Sequence, residues 1–228
     1  MNALKLDKLF YQLKKTDDIS GLNIQIETKI PEAMPDFGKL PIFEEIDKQY
    51  VRRLEACLKS AYQSAGMFGF VSWKWVNPFV DWIDDKRCLE IMAGRGWLTY
   101  ALKQKGVNVV GTDNYSWFGS DLWNVPLTDI LALDAVDAVR TYGKDIDLLI
   151  CSWPWLDQTM YQVAKLLSEI NPSARIVYIG EGWGGLTADD HFHQHFKEIK
   201  DDVFEMRVKS KYEQWDMHQD HMMLGRFI

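Results

Sequence analysis

Four short stretches of the chain carry residues whose types and spacing could do chemistry. The first is Leu89-Glu90-Ile91-Met92-Ala93-Gly94-Arg95-Gly96-Trp97. An apolar run enters a glycine-bearing turn and a helical pattern follows. Backbone N–H groups at such a turn can approach a ligand at the helix N-terminus, and glycine leaves room for it because it has no Cβ. The second stretch, Val107-Asn108-Val109-Val110-Gly111-Thr112-Asp113, ends in a carboxylate followed by Asn114. A carboxylate at a strand tip can accept both hydroxyls of a ribose. The third, Asp147-Leu148-Leu149-Ile150-Cys151-Ser152-Trp153-Pro154-Trp155, is an apolar run that meets a rigid proline-aromatic corner. The fourth follows Val177-Tyr178-Ile179 and places four glycines in the six residues 180–185, with Glu181 among them. Glu181 at a strand tip facing a cleft could orient a substrate amino group or accept its proton.

These stretches need a frame that brings their ends together. From Arg87 on, β-rich runs at 88–92, 107–112, 130–133, 146–151 and 176–179 alternate with helical patterns at 97–105, 135–142, 159–169 and 189–199. That alternation predicts βαβ units and a parallel sheet with helices on both faces. Residues 203–209 and 222–228 read as two further strands, paired antiparallel at one edge. In an open α/β sheet, ligands bind outside the carboxyl ends of the strands, where all four stretches would converge. Before Arg87 the pattern differs. A helix is expected over 4–14, a proline-rich loop over 30–41 and a helix over 43–63. A glycine- and aromatic-rich segment then leads to Pro78, with Phe68, Phe70, Trp73 and Trp75 as candidates for a lid. The division is therefore residues 1–85 as a mainly helical extension and 86–228 as the α/β domain.

The first stretch resembles the signature of class I S-adenosylmethionine-dependent methyltransferases, an acidic residue followed by Gly-x-Gly-x-Gly. Glu90, Gly94 and Gly96 match, and Met92 stands at the first glycine. Ser152-Trp153-Pro154-Trp155 is similar to the Asn/Asp/Ser-Pro-Pro-aromatic motif of amino-methyltransferases, with Trp153 in place of the first proline. The resemblance covers the chain from Arg87 on. It implies a doubly wound, Rossmann-like, mostly parallel seven-stranded sheet with an antiparallel C-terminal pair. It also implies S-adenosylmethionine held by Glu90, Met92, Ala93, Gly94, Gly96, Asp113, Asn114 and Asp134. The acidic residue after the third strand would meet the adenine amino group; Asp134 is the first choice and Asp129 the second, and Asp134 suits a helix N-cap equally well. Ser152, Trp153, Pro154 and Trp155 would hold a planar, amino-bearing acceptor, assisted by Glu181.

A dinucleotide fingerprint, G-x-G-x-x-G/A, fails at Thr99. An NAD-dependent oxidoreductase on a related fold and a catalytically inactive S-adenosylmethionine-binding module remain as alternatives. The net charge of −7 disfavours unspecific nucleic-acid binding and tilts the acceptor toward a small molecule or a protein. No apolar run approaches the roughly 20 residues of a membrane span, and no secretory signal is evident. Cys57, Cys88 and Cys151 show no paired spacing and suit free thiols in a cytoplasmic protein. His191 and His195 stand four apart on a helical pattern, but surface histidines are the expected reading and no metal is expected.

Overall fold

The computed structural model describes residues 29–36, 48–116, 123, 125–216 and 218–228. The helix expected over 4–14, the start of the one expected over 43–63 and part of the proline-rich loop lie outside these residues. The described chain begins its regular structure with helix α1 (Lys48–Ser64) and helix α2 (Trp73–Ile83). Then follow β1 (Cys88–Ile91), α3 (Trp97–Gln104), β2 (Val109–Asp113), β3 (Ile130–Ala132), α4 (Ala135–Tyr142), β4 (Leu148–Ser152), α5 (Thr159–Ile170) and β5 (Arg175–Gly180). The chain closes with α6 (Asp190–His195), β6 (Phe196–Glu198) and β7 (His221–Phe227).

The seven strands form one sheet in the order β3-β2-β1-β4-β5-β7-β6. The first five are parallel, and β7 runs antiparallel to both β5 and β6. Its two faces are covered separately. One buries Trp97, Leu98, Ala101 and Leu102 of α3 with Leu58 of α1, Trp75 and Phe79 of α2, and Leu148, Ile150 and Val177 of the strands. The other buries Ala138 and Val139 of α4, Val163 and Leu167 of α5, and Phe192 of α6 against Leu89, Leu149 and Tyr178. β1, β4 and most of β5 are buried on both faces, as their unbroken apolar runs require. This is the doubly wound seven-stranded layout that the alternation and the resemblance implied. The order reverses between β1 and β4, and in open α/β sheets ligands bind outside the carboxyl ends of the strands at such a switch point.

Two elements differ from the sequence expectation. Residues 203–209 are helical, not a strand: a π-turn spans Phe204–Val208 and a short 3-10 turn follows at Lys209–Lys211. Asp201 caps this turn by accepting from the Phe204 N–H at 2.9 Å. Phe204 and Val208, four apart, are buried, while Val203 and Met206 are exposed, which is a helical stripe and not the alternation of a strand. The partner of β7 is instead β6, taken from the end of the helix expected over 189–199. The second difference is α2, which continues through Pro78. Trp75, Val76, Phe79, Trp82 and Ile83 fall on its buried face, and that apolar burial outweighs the backbone hydrogen bond that proline cannot donate.

Among the described residues no helix is long and apolar enough to cross a membrane. All three cysteines are buried and free.

Candidate cofactor and acceptor site

The loop between β1 and α3 turns sharply. Met92, Gly94 and Gly96 have φ of 51°, 55° and 78°. Met92 therefore takes the left-handed conformation that the signature assigns to glycine, at a cost of roughly 1–2 kcal/mol. The space that a Cβ on Gly94 would occupy has no atom within 4 Å among the described residues beyond its chain neighbours. The loop thus presents bare backbone to an open volume. Asp113, at the tip of β2, binds back to it: Oδ2 accepts from the Gly94 N–H at 2.7 Å and Oδ1 from the Tyr115 N–H at 2.8 Å. Tyr115 has φ of 52°, and its buried hydroxyl has no hydrogen-bond partner.

Glu90 lies one layer deeper. It is 2% exposed and accepts a short hydrogen bond from the Thr99 hydroxyl of α3. Burial pushes its carboxyl up to about 7, against the opposing effect of the Thr99 bonds. In this position Glu90 ties the strand to the helix beneath the loop. Ala93 anchors the turn by donating to the Thr112 carbonyl at 3.0 Å. Asn114 donates weakly to Asp134 Oδ2 at 3.4 Å. Asp134 Oδ1 accepts from the Val136 N–H at 2.9 Å and caps α4. Asp129 is exposed at the start of β3.

Sequence reasoning missed Arg95. Its guanidinium is buried and donates to Val125 O at 2.8 Å and Ala65 O at 2.9 Å. Trp97 Nε1 donates to the same Ala65 carbonyl at 2.9 Å. The loop after β1 therefore holds the end of α1 and the segment after it. That segment crosses the site. Gly69 rests on the tip of β4, where a Cβ would lie 2.7 Å from Trp153 Cδ1 and 3.0 Å from Ser152 Oγ. Of the four lid candidates, Phe70 and Trp75 are core residues, Trp73 is partly buried on α2, and Phe68 packs edge-on against Trp123. Over the tip of β4 the covering element is the backbone at Gly69.

At the tip of β4, Ser152 is half-buried and Trp153 has φ of 57°. The Trp153 N–H donates to Ile179 O at 2.8 Å, which locks the corner to β5. Pro154 is buried, and Trp155 is 58% exposed. Left-handed, non-glycine residues thus stand at or just past the tips of β1, β2 and β4. Such outliers persist only where the surroundings over-determine them, often at ligand sites.

Glu181 sits at the end of β5 as expected, but its carboxylate does not stand free in a cleft. Oε2 accepts from Leu186 N–H at 2.8 Å and Oε1 from Gln219 N–H at 3.2 Å. The glycines around it let residues 182–186 curl back over the side chain, closed by Gly185 N–H to Gly182 O at 2.9 Å. Glu181 therefore shapes this loop and ties it to the segment before β7. That segment holds three polar residues, Tyr212, His218 and Asp220. Nothing in their spacing marks them, because only the antiparallel entry of β7 beside β5 brings them to this edge.

His191 Nδ1 is 3.0 Å from Asp189, and His191 and His195 both face Tyr161. Among the described residues no group of three or more His, Cys, Asp or Glu side chains could hold a metal ion.

No protein-family model matches the chain, and no curated protein matches it. Solved structures similar to it include S-adenosylmethionine-dependent methyltransferases. A TehB-like one from Corynebacterium glutamicum has 11% identity and a TM-score of 0.44, over 76% of this chain and 98% of that one. A methyltransferase from Archaeoglobus fulgidus has 13% identity and a TM-score of 0.43, over 66% and 90% of the two chains. The magnesium protoporphyrin IX methyltransferase of Synechocystis, solved with S-adenosylmethionine bound, has 13% identity and a TM-score of 0.40, over 82% and 88%.

Proposed function

We propose that this chain is an S-adenosylmethionine-dependent methyltransferase acting on a planar, amino-bearing acceptor that is a small molecule or a protein. The observation that carries the reading is the link between Asp113 and Gly94. It sets a ribose-binding carboxylate and a bare glycine backbone side by side at the switch point of the sheet, with open space above Gly94. The donor set fits a nucleoside. Each Asp113 oxygen keeps a lone pair beyond its backbone bond, and Tyr115, whose buried hydroxyl has no partner among the described residues, follows two positions later. Met92, Ala93, Gly94 and Gly96 would line the cofactor's path, with Asn114 and Asp134 at the far end. Glu90 would act from beneath by fixing the loop.

When bound, S-adenosylmethionine supplies an electrophilic methyl group. The chain then has mainly to place a lone pair in line with it. Ser152 and the backbone of the Trp153 corner would hold the acceptor at the tip of β4. Trp155 offers an exposed flat face on which a planar acceptor can stack.

Calorimetry with S-adenosylmethionine tests the cofactor. Wild type should bind, and Asp113→Ala should weaken binding by about 1.5–3 kcal/mol, the scale of a charge-assisted hydrogen bond. Folded protein that ignores millimolar S-adenosylmethionine, or that binds NAD in its place, would sink the reading.

A further inference from the structure

His221 pairs with Gly180, so the residues just before β7 arrive at the edge where β4 and β5 end. Asp220 there is 1% exposed. Its Oδ2 accepts a short hydrogen bond from the Tyr212 hydroxyl and a long one, 3.4 Å, from Trp153 Nε1. Its Oδ1 has no partner. His218 is also buried, with its ring 4.4 Å from that of Trp153 and its Nδ1 unpartnered. Lys59 of α1, Asp220 and Glu181 are the charged groups whose fields reach His218. Burial, with Lys59 adding to it, holds the His218 ring below its usual range and so favours the neutral form.

Two unpartnered polar atoms in a protein interior cost roughly 1–3 kcal/mol each, and such groups are few in native structures. Their chemistry defines a complement. A carboxylate oxygen only accepts, and the free nitrogen of a neutral imidazole can accept as well. The matching group is one that donates several hydrogen bonds, such as an amine or a ring amino group. Trp153 supplies a flat wall for the planar body that carries it. The cover is also identifiable: a Cβ on Gly69 would lie 2.7 Å from Cδ1 and 3.2 Å from Nε1 of Trp153, the same ring edge that meets Asp220.

We propose that Tyr212, His218 and Asp220, with Trp153, form a recognition pocket for the amino group of the acceptor, entered when the backbone at Gly69 shifts off the Trp153 ring edge. This assignment rests on the methyltransferase reading. Asp220 accepts from the incoming N–H through Oδ1 while Tyr212 and Trp153 hold Oδ2, and His218 accepts a second hydrogen.

Aminoquinoline and quinoline, which differ by the amino group alone, serve as probes in ligand-observed NMR titrations of the full chain. Wild type should prefer aminoquinoline by about tenfold or more, the factor expected of one hydrogen bond to a charged group. Asp220→Asn should abolish the preference without changing the affinity for S-adenosylmethionine. His218→Gln, which withdraws Nδ1, should reduce the preference and decides the matter if Asp220→Asn does not fold. Equal binding of the two probes, binding of neither, or a preference that survives in the folded variants overturns the pocket. A wild type that shows the preference but does not bind S-adenosylmethionine leaves the amino pocket standing and sinks the methyltransferase reading.

Discussion

The two halves of the site are assembled in different ways. Around the tips of β1 and β2, the groups that meet are Glu90, Gly94, Thr99, Asp113 and Tyr115, all within one βαβ unit. Around the tips of β4 and β5, they are Lys59, Gly69, Trp153, Glu181, Tyr212, His218 and Asp220, drawn from four separate parts of the chain. The first half ties its half-buried carboxylate to backbone, beside a Gly94 with open space where a side chain would stand. The second is covered, and leaves polar atoms without partners. A nucleoside site can be built locally, because a strand, a turn and a helix already juxtapose N–H groups with a carboxylate. An acceptor site must be convergent, since its walls come from whatever the topology brings to the edge.

The largest expected effect tests whether the convergent half depends on the N-terminal helices. Trp75 is fully buried, donates to Phe70 O at 2.8 Å and packs edge-on against Tyr212. Trp75→Ala should cost about 3–5 kcal/mol, in a single cooperative transition by urea unfolding. Two separate transitions would show that α1 and α2 are not part of the same unit as the sheet.

Next is the buried acid beneath the local half. Glu90 has its carboxyl raised from 4.5 to about 7, so the folded state holds that proton more tightly than the unfolded chain. Its contribution is complete below the unfolded value and is lost as pH rises through 7. Between about pH 5 and pH 8, wild type should lose on the order of 3 kcal/mol relative to Glu90→Gln. Parallel stability curves for the two proteins would mean that Glu90 is not held protonated by burial.

The smallest effect separates two roles of one residue. Asp134→Ala should cost about 1 kcal/mol by removing the α4 cap. Asp134→Asn keeps a capping oxygen and should be nearly silent in stability. If Asp134 also meets the adenine amino group, the Asn variant binds S-adenosylmethionine more weakly at unchanged stability. If it is a cap alone, calorimetry shows no difference.

Much of the layout could be read from residue order. The runs at 88–92, 107–112 and 146–151 became strands within a residue or two, and 135–142 is a helix over the same residues, because each has the period of its element and a turn at its end. The glycine loop and Asp113 were legible for the same reason: their geometry is local. Residues 203–209 misled because their valines and phenylalanine suit a strand, and only Asp201 and the packing of Phe204 beside Trp82 select the helical turn. Glu181 was legible as a strand-tip acid, but not its capture by Leu186 and Gln219. By itself the sequence determined the sheet's winding and the meeting of the glycine turn with Asp113, since apolar periodicity and turn chemistry act over a few residues. Only the tertiary structure decided that Gly69 covers Trp153 and that Tyr212, His218 and Asp220 stand behind it. Their meeting depends on an antiparallel strand entering beside β5, and contacts between distant segments leave no period in the chain.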